Sequence, residues 1–233
     1  MMTDIFSSFD PATSLIYHNY SPVLFWSLSS LSLTLIHSSF WINWSRYSWL
    51  SSFPMSTMYS QSKQTFSIHL KGFPSLLVSL FSLLILVNLL GLLPYAFSTS
   101  SHLLFTLSLG LPIWLSLIIS ASFHAPKSVA ANLLPSGAPD WLNPFLVLIE
   151  TLSICARPIT LSFRLAANMS AGHIILGLIG IYASSSMFLS MTTGVSLILI
   201  QLFYLIFEMG ICLIQAYIFC LLLSLYSDDH PTE

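Results

Sequence analysis

The chain has 233 residues, of which 55% are hydrophobic and only 6% charged, with a formal net charge of −2. Soluble domains carry roughly 25% charged residues, so this composition excludes that class and specifies an integral membrane protein. Without a basic face, nucleic-acid binding is excluded as well.

The first basic residue is Arg46, and the preceding segment carries Asp4 and Asp10. It lacks the basic start of a secretory signal and the Arg-rich, acid-poor character of a transit peptide, so the mature chain is expected to begin near Met1. A membrane-spanning helix needs about 20 apolar residues. Residues 15–41 meet that requirement and form the first predicted span. Residues 43–72 are more polar, with Arg46, Lys63 and Lys71 among serines and aromatics. There Phe53, Met55, Met58, Tyr59 and Phe66 are expected on one face of a helix lying on the membrane surface. Residues 73–97 and 102–123 form a two-span hairpin within 73–123, followed by a loop with Lys127, Pro126, Pro135, Gly137 and Pro139.

Residues 144–182 and 187–226 are two apolar segments of about 40 residues each. An upright helix of that length reaches nearly 60 Å, against a hydrocarbon layer of about 30 Å. The expected solution is a hairpin of long, strongly tilted helices turning at Ala183-Ser184-Ser185-Ser186, with a bend near Ile154 where Pro158 removes a backbone donor. The fold class is therefore all-α, a single membrane domain with about five crossings. Five crossings put Arg46, Lys63, Lys71 and Lys127 on one side, the cytoplasmic or matrix side by the positive-inside rule.

Polar residues recur at intervals of seven in the last two segments. Glu150, Arg157 and Arg164 share one helical face because seven residues turn through only about 20° less than two full turns, and Asn168 continues the stripe. Gln201, Glu208 and Gln215 repeat likewise, with Tyr204 nearby, while His173 falls on roughly the face opposite Arg164. An arginine at membrane depth costs about 2.5–3.5 kcal/mol on insertion scales and cannot shed its proton. Charges there mark ion or proton paths, which selects Glu150, Arg164 and Glu208, and His173 suits a proton relay. Asn168 and Gln201 read either as path members or as hydrogen-bonding glue between helices, and Arg157 reads first as a structural charge. Ala166, Ala167, Ser170, Ala171 and Gly172 allow close helix approach around Arg164, which then needs an anion, most naturally a carboxylate from another subunit.

The three cysteines, Cys155, Cys212 and Cys220, lie in apolar runs with no disulfide or metal spacing, and are expected to be small packed residues. The sequon matches at Asn43 and Asn168 are read as chance. No phosphate loop, paired-histidine metal motif or nucleophile elbow is present. A secondary transporter or ion/proton antiporter is the alternative of another class, but the inverted repeats it calls for are not visible.

The run from Arg164 to His173 (Arg-Leu-Ala-Ala-Asn-Met-Ser-Ala-Gly-His), the run Asn88-Leu89-Leu90-Gly91-Leu92-Leu93-Pro94, and Glu208 followed by Gln215 resemble subunit a of the F-type ATP synthase in its mitochondrial form. The resemblance covers about residues 66–226. It implies a proton-translocating stator subunit of the mitochondrial inner membrane, not catalytic on its own and without a cofactor. The implied partners are a ring of c subunits, other membrane-sector and peripheral-stalk subunits, the bilayer and protons. By the same resemblance Arg164 faces the c ring; the tilted hairpin is expected to carry Gln215 towards the ring as well, and Asn168 is a further proton-path candidate on the Arg164 stripe. His173 and Glu208 lie on the proton path from the intermembrane space, and Glu150 on the path to the matrix. Arg157 is an extra charge that not every member carries.

Overall fold

The computed structural model describes residues 9, 46–93, 97–134, 140–228 and 230, and every regular element among them is helical. In chain order they are α1 (Arg46–Ser62), α2 (Phe73–Gly91), α3 (Leu103–His124), α4 (Pro126–Asn132), α5 (Asn143–Leu189) and α6 (Met191–Asp228), with short 3-10 turns at Phe66–His69, Thr99–Ser101 and Asp140–Leu142. The expected first span, 15–41, lies outside the described residues. Helices α2, α3, α5 and α6 are long and apolar enough to cross a membrane, so the chain is an all-α membrane protein.

Local chemistry sets the helix starts. Helices α2, α4 and α5 each begin with proline in the first turn, where a missing N–H costs nothing. Gly72 turns the chain into α2 at φ +83°, a conformation that side chains with a Cβ rarely adopt. Helix α1 packs on α2, where Met58 is buried in the core with Phe73 and Leu77. Phe53 and Tyr59, expected on the same face as Met58, are instead exposed. The apolar residues of α1 are thus divided between the core and the outside.

Helix α5 has 47 residues and α6 has 38. At 1.5 Å per residue they measure about 70 Å and 57 Å, roughly twice the hydrocarbon thickness, so neither fits upright within it. Helix α5 continues through Pro158. It also continues through Ala183–Ser186, where the turn was expected, and the chain breaks only at Ser190, which is extended at φ −158° and ψ 129°. The serines do not end the helix because their hydroxyls bond inward. Ser184, Ser185 and Ser186 donate to the carbonyls of Ile181, Tyr182 and Ala183 at 2.8–3.0 Å. A hydroxyl satisfied in this way competes little with the helical ladder. Ser190 instead starts α6, its side chain bonded to Thr193 Oγ1 and its carbonyl accepting from the Gly194 N–H.

The two long helices run antiparallel, and a series of contacts fixes their register. From the turn outward, Met187 lies on Gly194, Gln201 on Gly180, and Glu208 on Gly172. Cys212 Sγ then meets Met169 Sδ at 3.5 Å, and the Arg157 guanidinium lies over the Tyr226 ring at 5.2 Å. At Gly172 and Gly194 a Cβ would overlap the facing side chain, whereas at Gly180 it would only touch it. Helix α2 closes one flank of the hairpin. There fully buried Asn88 donates to the Cys212 carbonyl at 3.5 Å, and Leu77, Leu84, Leu161, Phe219 and Leu223 complete the core.

In a membrane the penalty for truncating such a core residue is lost packing. Leu84→Ala is therefore expected to lower stability by about 2–5 kcal/mol, the cost of an unfilled leucine cavity. Leu104→Ala serves as the control, since Leu104 is 81% exposed. Unfolding midpoints of the detergent-solubilised protein should separate the two variants, and equal midpoints would contradict the assigned core.

Candidate functional site

The hairpin register decides which polar groups meet. Arg164 on α5 and Gln215 on α6 line one crevice with Leu161, Leu165, Ile218, Phe219 and Leu222. The expectation that these two stripes converge is met at this point. The Arg164 side chain is exposed, Gln215 is half-buried, and Asn168, one turn beyond Arg164, is half-buried. Among the described residues, no carboxylate lies within ion-pair distance of Arg164. A guanidinium that is always charged is thus presented on the outer face of an apolar hairpin without an anion among the described residues of its own chain.

The chain's other carboxylates on the hairpin are engaged elsewhere. Glu208 is only 1% exposed, and its carboxyl sits on the backbone of Gly172. A Cβ at residue 172 would collide with both carboxyl oxygens and the carboxyl carbon, so any larger residue there displaces the Glu208 carboxyl. The Tyr204 hydroxyl, one turn earlier on α6, lies beside the same carboxyl. His173 immediately follows the cradle glycine and is half-buried, with Phe9 edge-on at 6.3 Å between ring centroids. Its Nε2 is buried and has no hydrogen-bond partner among the described residues. His173 of α5 thereby lies next in sequence to the glycine on which Glu208 of α6 rests, at about the same level of the hairpin. Glu150 is distant from this pair, near the start of α5. Its Oε1 lies 3.6 Å from Arg157 Nη2.

The site residues expected from the sequence thus fall at three levels of the hairpin: Arg164 with Gln215 and Asn168, His173 beside the contact of Glu208 with Gly172, and Glu150 with Arg157. Sequence periodicity did not identify Tyr226, which stacks on Arg157, or the packing of the Glu208 carboxyl on Gly172. Both depend on which residue of α6 faces which residue of α5. The signal that could have found them was the antiparallel register, countable backwards from a correctly placed turn. Asn88 is a further buried polar group beside α6, its Nδ2 reaching the Cys212 carbonyl and its Oδ1 without a partner among the described residues. Among the described residues, no group of three or more histidine, cysteine or carboxylate side chains is arranged to hold a metal.

The family model described as "ATP synthase A chain" matches residues 23–228. Among curated proteins, the "ATP synthase subunit a" of Locusta migratoria is 38% identical over 232 residues, covering 98% of this chain and 99% of its own length. Those of Drosophila melanogaster and Anopheles quadrimaculatus are 39% and 40% identical, each with the same coverage of both chains. A family match across nearly the whole chain, together with full-length relatives at this identity, places the protein in the ATP synthase A chain family, the subunit a proteins of ATP synthase.

Proposed function

We propose that this chain is the non-catalytic proton-path stator of the ATP synthase membrane sector in the mitochondrial inner membrane. His173 and Glu208 serve an inlet half-channel, and Glu150 an offset outlet. Arg164, flanked by Gln215 and Asn168, faces a carboxylate carried on a ring of c subunits. The observation that carries this reading is Arg164 itself, exposed on an apolar helix pair with no acid of its own chain in reach among the described residues. A charge so placed calls for an anion from a neighbouring subunit, since an unpaired charge at membrane depth is costly.

The mechanism follows from the chemistry of each group. Arginine does not release a proton under physiological conditions, so Arg164 is no carrier. Its fixed charge favours the ionised form of a passing carboxylate. A ring carboxylate therefore loses its proton as it reaches Arg164 from the outlet side, and takes a new one only after passing to the inlet. The same charge blocks direct passage between the half-channels. Each completed crossing is worth about 2.3 kcal/mol per 100 mV of membrane potential. Family membership leaves the antiporter alternative with no observation in its favour.

The test is a double exchange at the inlet pair, made in the intact complex. His173→Ala or Glu208→Ala is expected to slow ATP-driven proton pumping by about tenfold or more, the scale for loss of a positioned acid–base group. The exchange His173→Glu with Glu208→His should recover more activity than the worse of the two single exchanges. Strictly additive losses would show that the two groups act independently and would overturn their assignment to one half-channel.

A further inference from the structure

Arg157 is the cation that the site groups leave without a task. It stands seven residues after Glu150 and seven before Arg164, on the same stripe of α5. Two of its contacts differ in kind. One is the 3.6 Å approach of Nη2 to Glu150 Oε1, and the other is the 5.2 Å placement of its guanidinium carbon over the Tyr226 ring of α6. The first contact is within one helix, and the second crosses the hairpin.

From this geometry we infer that Arg157 is a positioning residue for Glu150, and that Tyr226 is the platform that holds Arg157 in place. This deepens the proton-path reading and rests on it, since Glu150 is the outlet carboxylate there. Three features support the assignment. An arginine side chain has many rotamers, and a ring face beneath its guanidinium selects among them, with a cation–π attraction that grows as water is excluded. The ion pair engages one carboxylate oxygen of Glu150 at a loose distance, and the two side chains are 32% and 37% exposed, Arg157 and Glu150 respectively. A dry, bidentate pair would lock the carboxylate, whereas a single loose contact orients it and leaves its second oxygen able to take and pass a proton. Finally, the Tyr226 contact ties the far end of α6 to the Glu150 end of α5, so the position of the outlet carboxylate depends on hairpin register. Arg157 is too far from Arg164 to share its task. Seven residues of helix separate their Cα atoms by about 10 Å.

The test uses the intact ATP synthase complex in vesicles, with ATP-driven proton pumping as the readout and subunit content checked for each variant. Arg157→Gln is expected to lower pumping about fivefold or more, within the range that members of one ion-pair network impose on each other. Arg157→Lys should restore most of the rate, because a lysine can reach the carboxylate and sit over the ring. Tyr226→Phe should pump normally, and Tyr226→Leu should fall towards the Arg157→Gln level. Arg157→Gln combined with Glu150→Gln should be no slower than Glu150→Gln alone. Normal pumping in Arg157→Gln, no rescue by lysine, or additive loss in the double variant would overturn the inference. Arg164→Gln, measured in parallel, separates the two levels. If Arg164→Gln pumps normally, the underlying proton-path reading fails. If Arg164→Gln is inactive while Arg157→Gln is normal, only the role of Arg157 fails.

Discussion

Replacing Arg164 with lysine is expected to reduce coupled ATP synthesis on the order of a hundredfold, the scale of losing one preorganised charge-stabilising donor. The substitution keeps a cation, so a large loss would separate the two basic side chains by their chemistry. Lysine is a compact charge that can deprotonate when desolvated, and it lacks the planar fork that guanidinium offers a carboxylate. Arg164 sits in a crevice whose other lining groups are apolar except for Gln215, so a neutralised lysine there would leave nothing to hold the ring carboxylate ionised. Arg164→Ala should lose synthesis and in addition leak protons, because no fixed charge then separates the half-channels. ATP-driven pumping and passive proton flux in vesicles report the two effects separately. Normal coupling in the lysine variant would remove Arg164 from the centre of the mechanism.

The second large effect is expected at Gly172. Its Cα supports the Glu208 carboxyl so closely that any Cβ overlaps it. Gly172→Ala must push Glu208 away or part the helices, and overpacking of this kind costs about 1–3 kcal/mol. Pumping should drop by about tenfold, as for a displaced acid–base group. Shortening the opposing side chain should relieve the clash, so Gly172→Ala with Glu208→Asp is expected to pump faster than Gly172→Ala alone. Gly91→Ala is the comparison. A Cβ there meets the flexible end of Met169 at 3.3 Å, which can give way, and activity should be nearly unchanged. If both glycine variants behaved alike, the cradle at Gly172 would have no special role.

Much of this architecture is legible in the residues. Apolar runs of span length locate α2, α3 and the hairpin, and the seven-residue spacing of Glu150, Arg157 and Arg164 places them on one face. Periodicity reports on a single helix, and the rest depends on pairs of helices. The serine cluster at 184–186 looks like a turn by composition, yet each hydroxyl bonds back to its own helix, and the chain turns four residues later at Ser190. A register counted from the wrong turn misplaces every cross-hairpin partner. For that reason the Tyr226 platform and the Gly172 cradle emerge only from the packed structure. The surface segment shows the same limit. Phe53, Met58 and Tyr59 were expected on one face, but Met58 is buried under α2 while Phe53 and Tyr59 point outward.

The central claim is that Arg164 faces an acid on a neighbouring subunit, and a density map of the assembled membrane sector tests it most directly. The account predicts the face bearing Arg164 and Gln215 against a ring of small helical subunits, with a ring carboxylate within about 6 Å of the guanidinium, the range over which opposite charges shift each other's ionisation. Arg164 directed into lipid, or paired with a carboxylate of its own chain, would contradict it.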